Sequence, residues 1–293
     1  MLQSRFSCRA PMTLRPLLLL LFLAGLTATA CTTLPDPGER KARADKLAAA
    51  QGMEPSTIPA GDFDLYSLIR ADRPSGLLIV YLEGDGLAWT RRNEPSPDPT
   101  PVSPVALQLA VKDNGPAVAY LARPCQYTQG QARRNCGNET WTNARYSEAV
   151  VQSVDAALDK LKERTGAAQL GLVGYSGGGT VAALLAARRH DVAWLKTVAS
   201  PLDTAAFTRH HQVSGLSGSL NPADDAIRLA AIPQIHYVGE EDDIVPEAIN
   251  RAFMARLADR RCATLHVMPG LGHRDGWDEA WQGVHSTRPA CRK

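Results

Sequence analysis

The sequence predicts an α/β fold built on a mostly parallel, doubly wound sheet, and three observations carry that expectation. Apolar, β-rich runs alternate with segments of helical period along most of the chain. Several of the runs, above all Leu77-Leu-Ile-Val-Tyr-Leu82, are continuously apolar, as strands buried on both faces must be. The composition allows a large core: 44% of the 293 residues are apolar and only 21% are charged, which excludes a mainly disordered chain.

The N-terminal segment stands outside this pattern. Residues 1–30 carry Arg5, Arg9 and Arg15 and no acidic residue, then an apolar run from Leu17 to Leu26, then small residues up to Ala30. A run this short falls below the ~20 residues of a membrane-spanning helix and reads as an export signal. With those three arginines set aside, the formal net charge of +2 becomes 29 basic against 30 acidic residues. The basic excess belongs to the signal, so no nucleic-acid partner is expected. Leu-Thr-Ala-Thr-Ala-Cys31 resembles a bacterial lipobox, although Ala28 stands where an aliphatic residue is preferred; Ala28-Thr29-Ala30 also suits ordinary cleavage. Cysteine parity favours lipidation. With Cys8 lost and Cys31 lipidated, Cys125, Cys136, Cys262 and Cys291 remain, an even number for an oxidising compartment. Spacing suggests the local pairs Cys125–Cys136 and Cys262–Cys291, with other connectivities open. The expected setting is the bacterial cell envelope, lipid-anchored and facing the periplasm.

Residues 31–60 are polar and Pro/Ala-rich and are expected to form a lipid-anchored tether, with a short helix around Glu39–Gln51. The folded domain is expected over 61–293. Its strands are read at Phe63–Arg70, Leu77–Leu82, Ala117–Leu121, Gln169–Gly174, Leu195–Ala199, Gln234–Gly239 and Thr264–Met268. Helices are expected over 104–112, after Pro104, and over 144–164, where Val150, Val151, Val154, Leu158 and Leu161 recur at helical spacing before Gly166. Others follow at 177–189, 246–257 and 277–284. Two segments interrupt the rhythm. Residues 90–104 hold five prolines and predict a stiff, extended loop. Residues 201–232 form an insertion, read as a small cap over a site, with a plain surface excursion as the alternative.

The chemistry concentrates in three loops. Gly174-Tyr-Ser176-Gly-Gly178 follows an apolar strand and opens a helix, the context a Gly-x-Ser-x-Gly turn needs to thrust its serine above a sheet. A serine hydroxyl is a weak nucleophile until a base takes its proton, so a histidine and an orienting acid are required. Gly239-Glu-Glu-Asp242-Asp-Ile-Val-Pro246 follows one later strand, and Gly270-Leu-Gly-His273 follows the next. The order Ser, Asp, His, with these spacings, resembles the α/β-hydrolase superfamily over about residues 61–285. Arg-Pro-Cys-Gln-Tyr (123–127), Gly-Ser-Leu-Asn-Pro (218–222) and Gly-Trp-Asp-Glu-Ala-Trp (276–281) resemble a bacterial exported subgroup.

The resemblance implies an α/β-hydrolase fold, with the 201–232 cap after the sixth family strand. It implies a Ser176-Asp242-His273 triad cleaving a carboxylic ester or related acyl bond of a small molecule through an acyl-enzyme, with no metal or organic cofactor. Asp243 and Asp203 are alternatives for the acid. The oxyanion would be held by the backbone N–H of Gly177 and by that of Asp85 in Glu83-Gly84-Asp85-Gly86, with the Asp85 carboxylate turned away. Where many family members have His-Gly, this chain has Glu83-Gly84. Glu83 or Asp85 could instead read a substrate amine, as in an aminopeptidase, and Trp89 could wall the pocket. A peptidase or amidase, an acyltransferase and a non-catalytic envelope lipoprotein are the rival readings.

Overall fold

In a computed structural model the structure describes residues 34–293; the signal segment and Cys31 lie outside the described residues. Eight strands form the main sheet: β1 (Glu54–Ala60), β2 (Phe63–Ala71), β3 (Leu77–Leu82), β6 (Ala117–Leu121), β7 (Gln169–Tyr175), β8 (Val192–Val198), β9 (Gln234–Gly239) and β10 (Ala263–Met268). A small hairpin, β4 (Trp89–Arg91) with β5 (Glu94–Pro95), stands apart. The spatial order is β1-β2-β6-β3-β7-β8-β9-β10. Only β2 runs against its neighbours, pairing antiparallel with β1 and β6; every other pair in the sheet is parallel.

Side chains alternate across β3 and divide the core in two. Leu78, Val80 and Leu82 join one cluster with α3 (Glu148–Thr165), α4 (Gly177–Ala186) and α7 (Glu247–Arg256). Ile79 and Tyr81 face the other, with α1 (Pro37–Ala49), α2 (Val105–Ala110) and α8 (Trp277–Val284). Helices on both faces explain why the central strands read as unbroken apolar runs. After β3 the chain crosses to β6 on one side, then returns over α3 to β7 on the other. The crevice between the carboxyl ends of β3 and β7 is therefore the topological switch point.

The stretch read as a tether is, from Pro37 onward, part of the folded body. Asp36 and Glu39 close a capping box at the start of α1, and Arg40, Ala44 and Ala48 are buried. Next, β1 pairs along its length with β2, Ile58 opposite Leu65. Its polar residues and its prolines, Pro55 and Pro59, suit an edge strand, which needs one face buried and few ladder donors. The helix expected from 144 begins at Glu148, where the Ser147 side chain accepts from the Val150 N–H, and ends at Gly166 with φ 68°. Arg145 and Tyr146, just before the cap, are thereby left outside the helix and both reach Asp85.

The disulfides are Cys125–Cys136 and Cys262–Cys291. Residues 201–232 hold α5 (Thr204–His210), a 3-10 turn and α6 (Ala226–Leu229); Ala226 and Leu229 return to the core, so the insertion is packed on the domain. Among the described residues no helix is long and apolar enough to cross a membrane.

Candidate active site

Ser176 sits between β7 and α4 with φ 49° and ψ −125°, a conformation strained for a residue with a side chain. The turn is too tight for bulk on either side. A Cβ on Gly174 would lie 2.3 Å from the Gly179 Cα, and one on Gly178 would lie 2.2 Å from the Leu82 carbonyl oxygen. The result is a half-buried serine above the sheet, with the N-terminus of a buried ten-residue helix behind it.

His273 faces it. The Ser176 Oγ lies 3.1 Å from His273 Nε2, and His273 Nδ1 lies 2.9 Å from Asp242 Oδ2. An ionised carboxylate only accepts, so Nδ1 carries the proton and Nε2 is free to accept from the serine hydroxyl. The Asp242 side chain is fully buried and its Oδ1 also accepts from the Ile244 and Val245 N–H groups, at 2.9 and 2.7 Å. Asp243 is exposed. Asp203 spends its carboxylate capping α5, accepting from the Ala206 N–H at 2.9 Å. The histidine loop is held through its backbone: the Tyr175 hydroxyl and the Trp277 indole both donate to the His273 carbonyl oxygen, each at 3.1 Å.

Of the other histidines, His236 is buried between Thr197 and Gln234, and burial lowers its pKa to about 3. His266 stacks on Tyr237, and His211 contacts the Ile244 carbonyl oxygen at 2.7 Å.

The loop after β3 carries two carboxylates, and both are occupied. Glu83 is 1% exposed; its Oε1 accepts from the Gly84 N–H at 2.9 Å and the Ala106 N–H at 3.4 Å, and its Oε2 from the Tyr120 hydroxyl at 3.2 Å. Burial raises its pKa to about 7. Asp85 receives Arg145 Nη1 at 2.8 Å, Arg123 Nη1 at 3.3 Å and the Tyr146 hydroxyl at 3.0 Å. Burial alone would raise its pKa; Arg145 and Arg123 outweigh that and hold the carboxyl below its ordinary range. Both carboxylates thus serve the protein's own hydrogen bonds, Glu83 buried and Asp85 paired with two guanidiniums. Two guanidiniums on one carboxylate leave the cluster net positive. Among the described residues, the N–H groups of Asp85 and Gly177 have no protein acceptor.

Beside these loops runs a groove of about 1230 Å³ between the β4–β5 hairpin and the 207–216 segment, with Trp89 on one wall and Phe207 on the other. It reaches Arg145, which holds Asp85, and Ile244, whose N–H binds Asp242. The insertion thus forms one wall of this groove, whose lining does not include Ser176, Asp242 or His273.

A family model described as Serine hydrolase (FSH1) matches residues 107–273, more than half of the chain, and spans Ser176, Asp242 and His273. The chain belongs to this family. It is an esterase-like hydrolase of α/β-hydrolase fold, and solved structures agree on the fold. The hydrolase resembles an alpha-beta serine hydrolase homologue from Coxiella burnetii, with TM-score 0.55 and 17% identity over 78% of this chain and 96% of that one. It resembles a Pyrococcus furiosus esterase, with TM-score 0.57 and 13% identity over 80% and 91%. It also resembles a puromycin-hydrolyzing peptidase from Mycobacterium tuberculosis, with TM-score 0.57 and 16% identity over 81% of this chain, but it spans only 38% of that one. No curated protein sequence matches the hydrolase.

Arg123, Gln126, Arg145, Tyr146 and Tyr175 surround the site without having been singled out as site residues. For two of them a signal existed. Arg123 and Gln126 belong to the 123–127 motif and bind the β3 loop, and Cys125 of the same motif forms the disulfide with Cys136. Arg145 and Tyr146 fall inside the helical period of the following segment and look there like ordinary helix surface.

Proposed function

We propose that the hydrolase cleaves a carboxylic ester, or a related acyl bond of a small molecule, through an acyl-enzyme on Ser176. The observation that carries this reading is the 3.1 Å contact between Ser176 Oγ and His273 Nε2, with Nδ1 held by a buried carboxylate. Ser176 Oγ attacks the acyl carbon while its proton passes to His273 Nε2. Asp242 keeps the imidazole in the required tautomer and stabilises the imidazolium. The negative charge that develops on the acyl oxygen is met by the N–H of Gly177 at the start of α4, by the N–H of Asp85 in the loop after β3, and by the net positive Arg123–Asp85–Arg145 cluster. Collapse of the tetrahedral intermediate expels the alcohol, which takes the proton from His273. Water, deprotonated by the same histidine, then releases the acid. Ester chemistry is favoured over an aminopeptidase reading because Glu83 and Asp85 are both consumed within the protein. We also propose that the mature protein starts at a lipid-modified Cys31 and works at the envelope membrane, a reading that rests on the lipobox resemblance and on cysteine parity.

The test is labelling of the purified protein by a fluorophosphonate, alongside Ser176→Ala. Wild type should be labelled stoichiometrically and the variant should not. Labelling that survives in Ser176→Ala, or fails in wild type, overturns the reading. Mass spectrometry of the mature N-terminus should find diacylglycerol on Cys31; an unmodified start there ends the anchor proposal.

A further inference from the structure

The groove between the β4–β5 hairpin and the 207–216 segment is lopsided in charge. Arg91, Arg92 and Arg145 line it, and no lining residue is a carboxylate. This is a local feature, because beyond residue 30 the chain has 29 basic against 30 acidic residues. Arg91 is largely neutralised by Glu94 at 3.0 Å, whereas Arg92 is exposed and has no ion pair among the described residues. Arg145 is the deepest of the three, its side chain 13% exposed. Its Nη1 is bound to Asp85 at 2.8 Å and its Nε donates to the Thr142 carbonyl oxygen at 2.5 Å, while Nη2 has no partner among the described residues. Arg123 shares the same carboxylate, so Asp85 cannot balance both cations.

A guanidinium held by Asp85 through Nη1 and by the Thr142 carbonyl oxygen through Nε is fixed in place to offer its unused Nη2 to a second anion. Apolar side chains also line the groove, among them Trp89, Phe207, Val213 and Leu216. Two of its lining residues touch the site: Arg145 binds the acid of the β3 loop, and the Ile244 N–H binds Asp242. A Cβ on Gly177 would lie 2.0 Å from Asp85 Oδ1, so an anion on Arg145 would sit one carboxylate removed from the residue that follows Ser176.

We infer that the groove selects acyl substrates carrying an anionic group, a carboxylate or a phosphate, on an otherwise apolar body, with Arg145 as the anion-binding residue and Arg92 at the rim. The inference rests on the Ser176 acyl-transfer reading and adds the substrate class. The absence of any lining carboxylate works against cationic substrates by the same physics.

Two matched pairs of esters test it and separate the anion sources. In one, mono-4-nitrophenyl adipate is compared with its methyl ester; in the other, butyryl glycerol 3-phosphate with butyryl glycerol. Wild type should prefer the anionic member of at least one pair by about tenfold or more in kcat/KM, and Arg145→Gln should bring that ratio to within about threefold of one. The ratio within each variant cancels general damage to the site. Arg92→Gln should lower it by a smaller factor, and hexanoate should inhibit wild type at least tenfold better than hexanamide. That last comparison needs no variant and stands even if Arg145→Gln does not fold. A wild-type ratio near one in both pairs, equal inhibition by hexanoate and hexanamide, or a preference unchanged in a folded Arg145→Gln, overturns the inference. Turnover of both esters without preference sinks this proposal alone, whereas absence of turnover and of Ser176 labelling sinks the reading beneath it.

Discussion

The side-chain amide of Gln126 donates to the carbonyl oxygen of Gly84 at 2.9 Å, while its own oxygen accepts from the Arg123 N–H at 3.0 Å. Gln126 is 1% exposed and spans from the segment after β6 to the loop after β3. It fixes the peptide that precedes Asp85, and with it the direction of the Asp85 N–H. Gln126→Leu removes both bonds at similar volume. Full loss of one oxyanion donor costs about 100- to 1000-fold in kcat, and misdirection should cost less. A fall of roughly 10- to 100-fold in kcat, with KM and the unfolding midpoint changing far less, is the expected outcome of steady-state kinetics on a short-chain ester. An unchanged kcat would remove Asp85 from the oxyanion site.

The two aspartates at 242 and 243 should separate cleanly. Asp242→Asn keeps the shape but no longer selects the Nδ1–H tautomer of His273, and kcat should fall by about 10,000-fold. Asp243→Asn alters an exposed side chain and should leave kcat close to wild type. Asp203→Ala removes the α5 cap and should cost about 1 kcal/mol in a urea titration without entering the rate. A large loss of kcat in either of the last two variants, with Asp242→Asn nearly active, would reassign the acid.

Most of the site was legible because the chemistry sits directly after strands. Gly-x-Ser-x-Gly after β7, the acid after β9 and the histidine after β10 each follow an apolar run, and a run of apolar residues is visible in one dimension. What holds those loops is not. Gln126, Tyr146 and Tyr175 act through contacts between residues tens of positions apart, and nothing in local periodicity records them. The three motifs that looked like subgroup markers prove to be struts. Residues 123–127 brace the β3 loop; Ser219 and Leu220 stitch the insertion to Asn143 and Tyr146; Trp277 holds the histidine loop and Trp281 donates to Tyr81. The same limit hid β1. A strand with one buried face, two prolines and polar alternation reads as a linker until β2 is beside it.

Glu83 makes the stability of the β3 loop depend on pH in the direction opposite to most carboxylates. Its pKa rises from 4.5 to about 7, so between those values the folded state holds a proton that the unfolded chain has lost. Stability from this group is complete below pH 4.5 and is lost as pH rises through 7, by about 3 kcal/mol in all. Glu83→Gln imitates the protonated acid: its oxygen can accept from Gly84 and Ala106, and its amide can donate to the Tyr120 hydroxyl. Relative to wild type the variant should gain stability steadily between pH 4.5 and 7 and hold that gain above. Parallel urea midpoints for the two proteins across pH 5–8 would refute this.

His236 works against Glu83 over nearly the same range. It is fully buried on β9, where Thr197 can donate to its Nδ1 and its Nε2 can donate to Gln234, an arrangement with no place for a second ring proton. Burial lowers its pKa from 6.5 to about 3, so below pH 6.5 the unfolded chain takes up a proton that the folded one refuses. Stability from His236 therefore falls with acidification, by about 1.4 kcal/mol per pH unit, while that from Glu83 rises at the same rate. Between pH 4.5 and 6.5 the two slopes cancel, and wild type should show neither. Each variant alone should unmask the other residue. Glu83→Gln should lose stability on going from pH 6.5 to 4.5, by about 3 kcal/mol. His236→Gln, measured as a change over the same interval so that its constant packing cost drops out, should gain by a similar amount. A double variant should be level again. Equal slopes in all four proteins would show that neither group titrates as its burial requires.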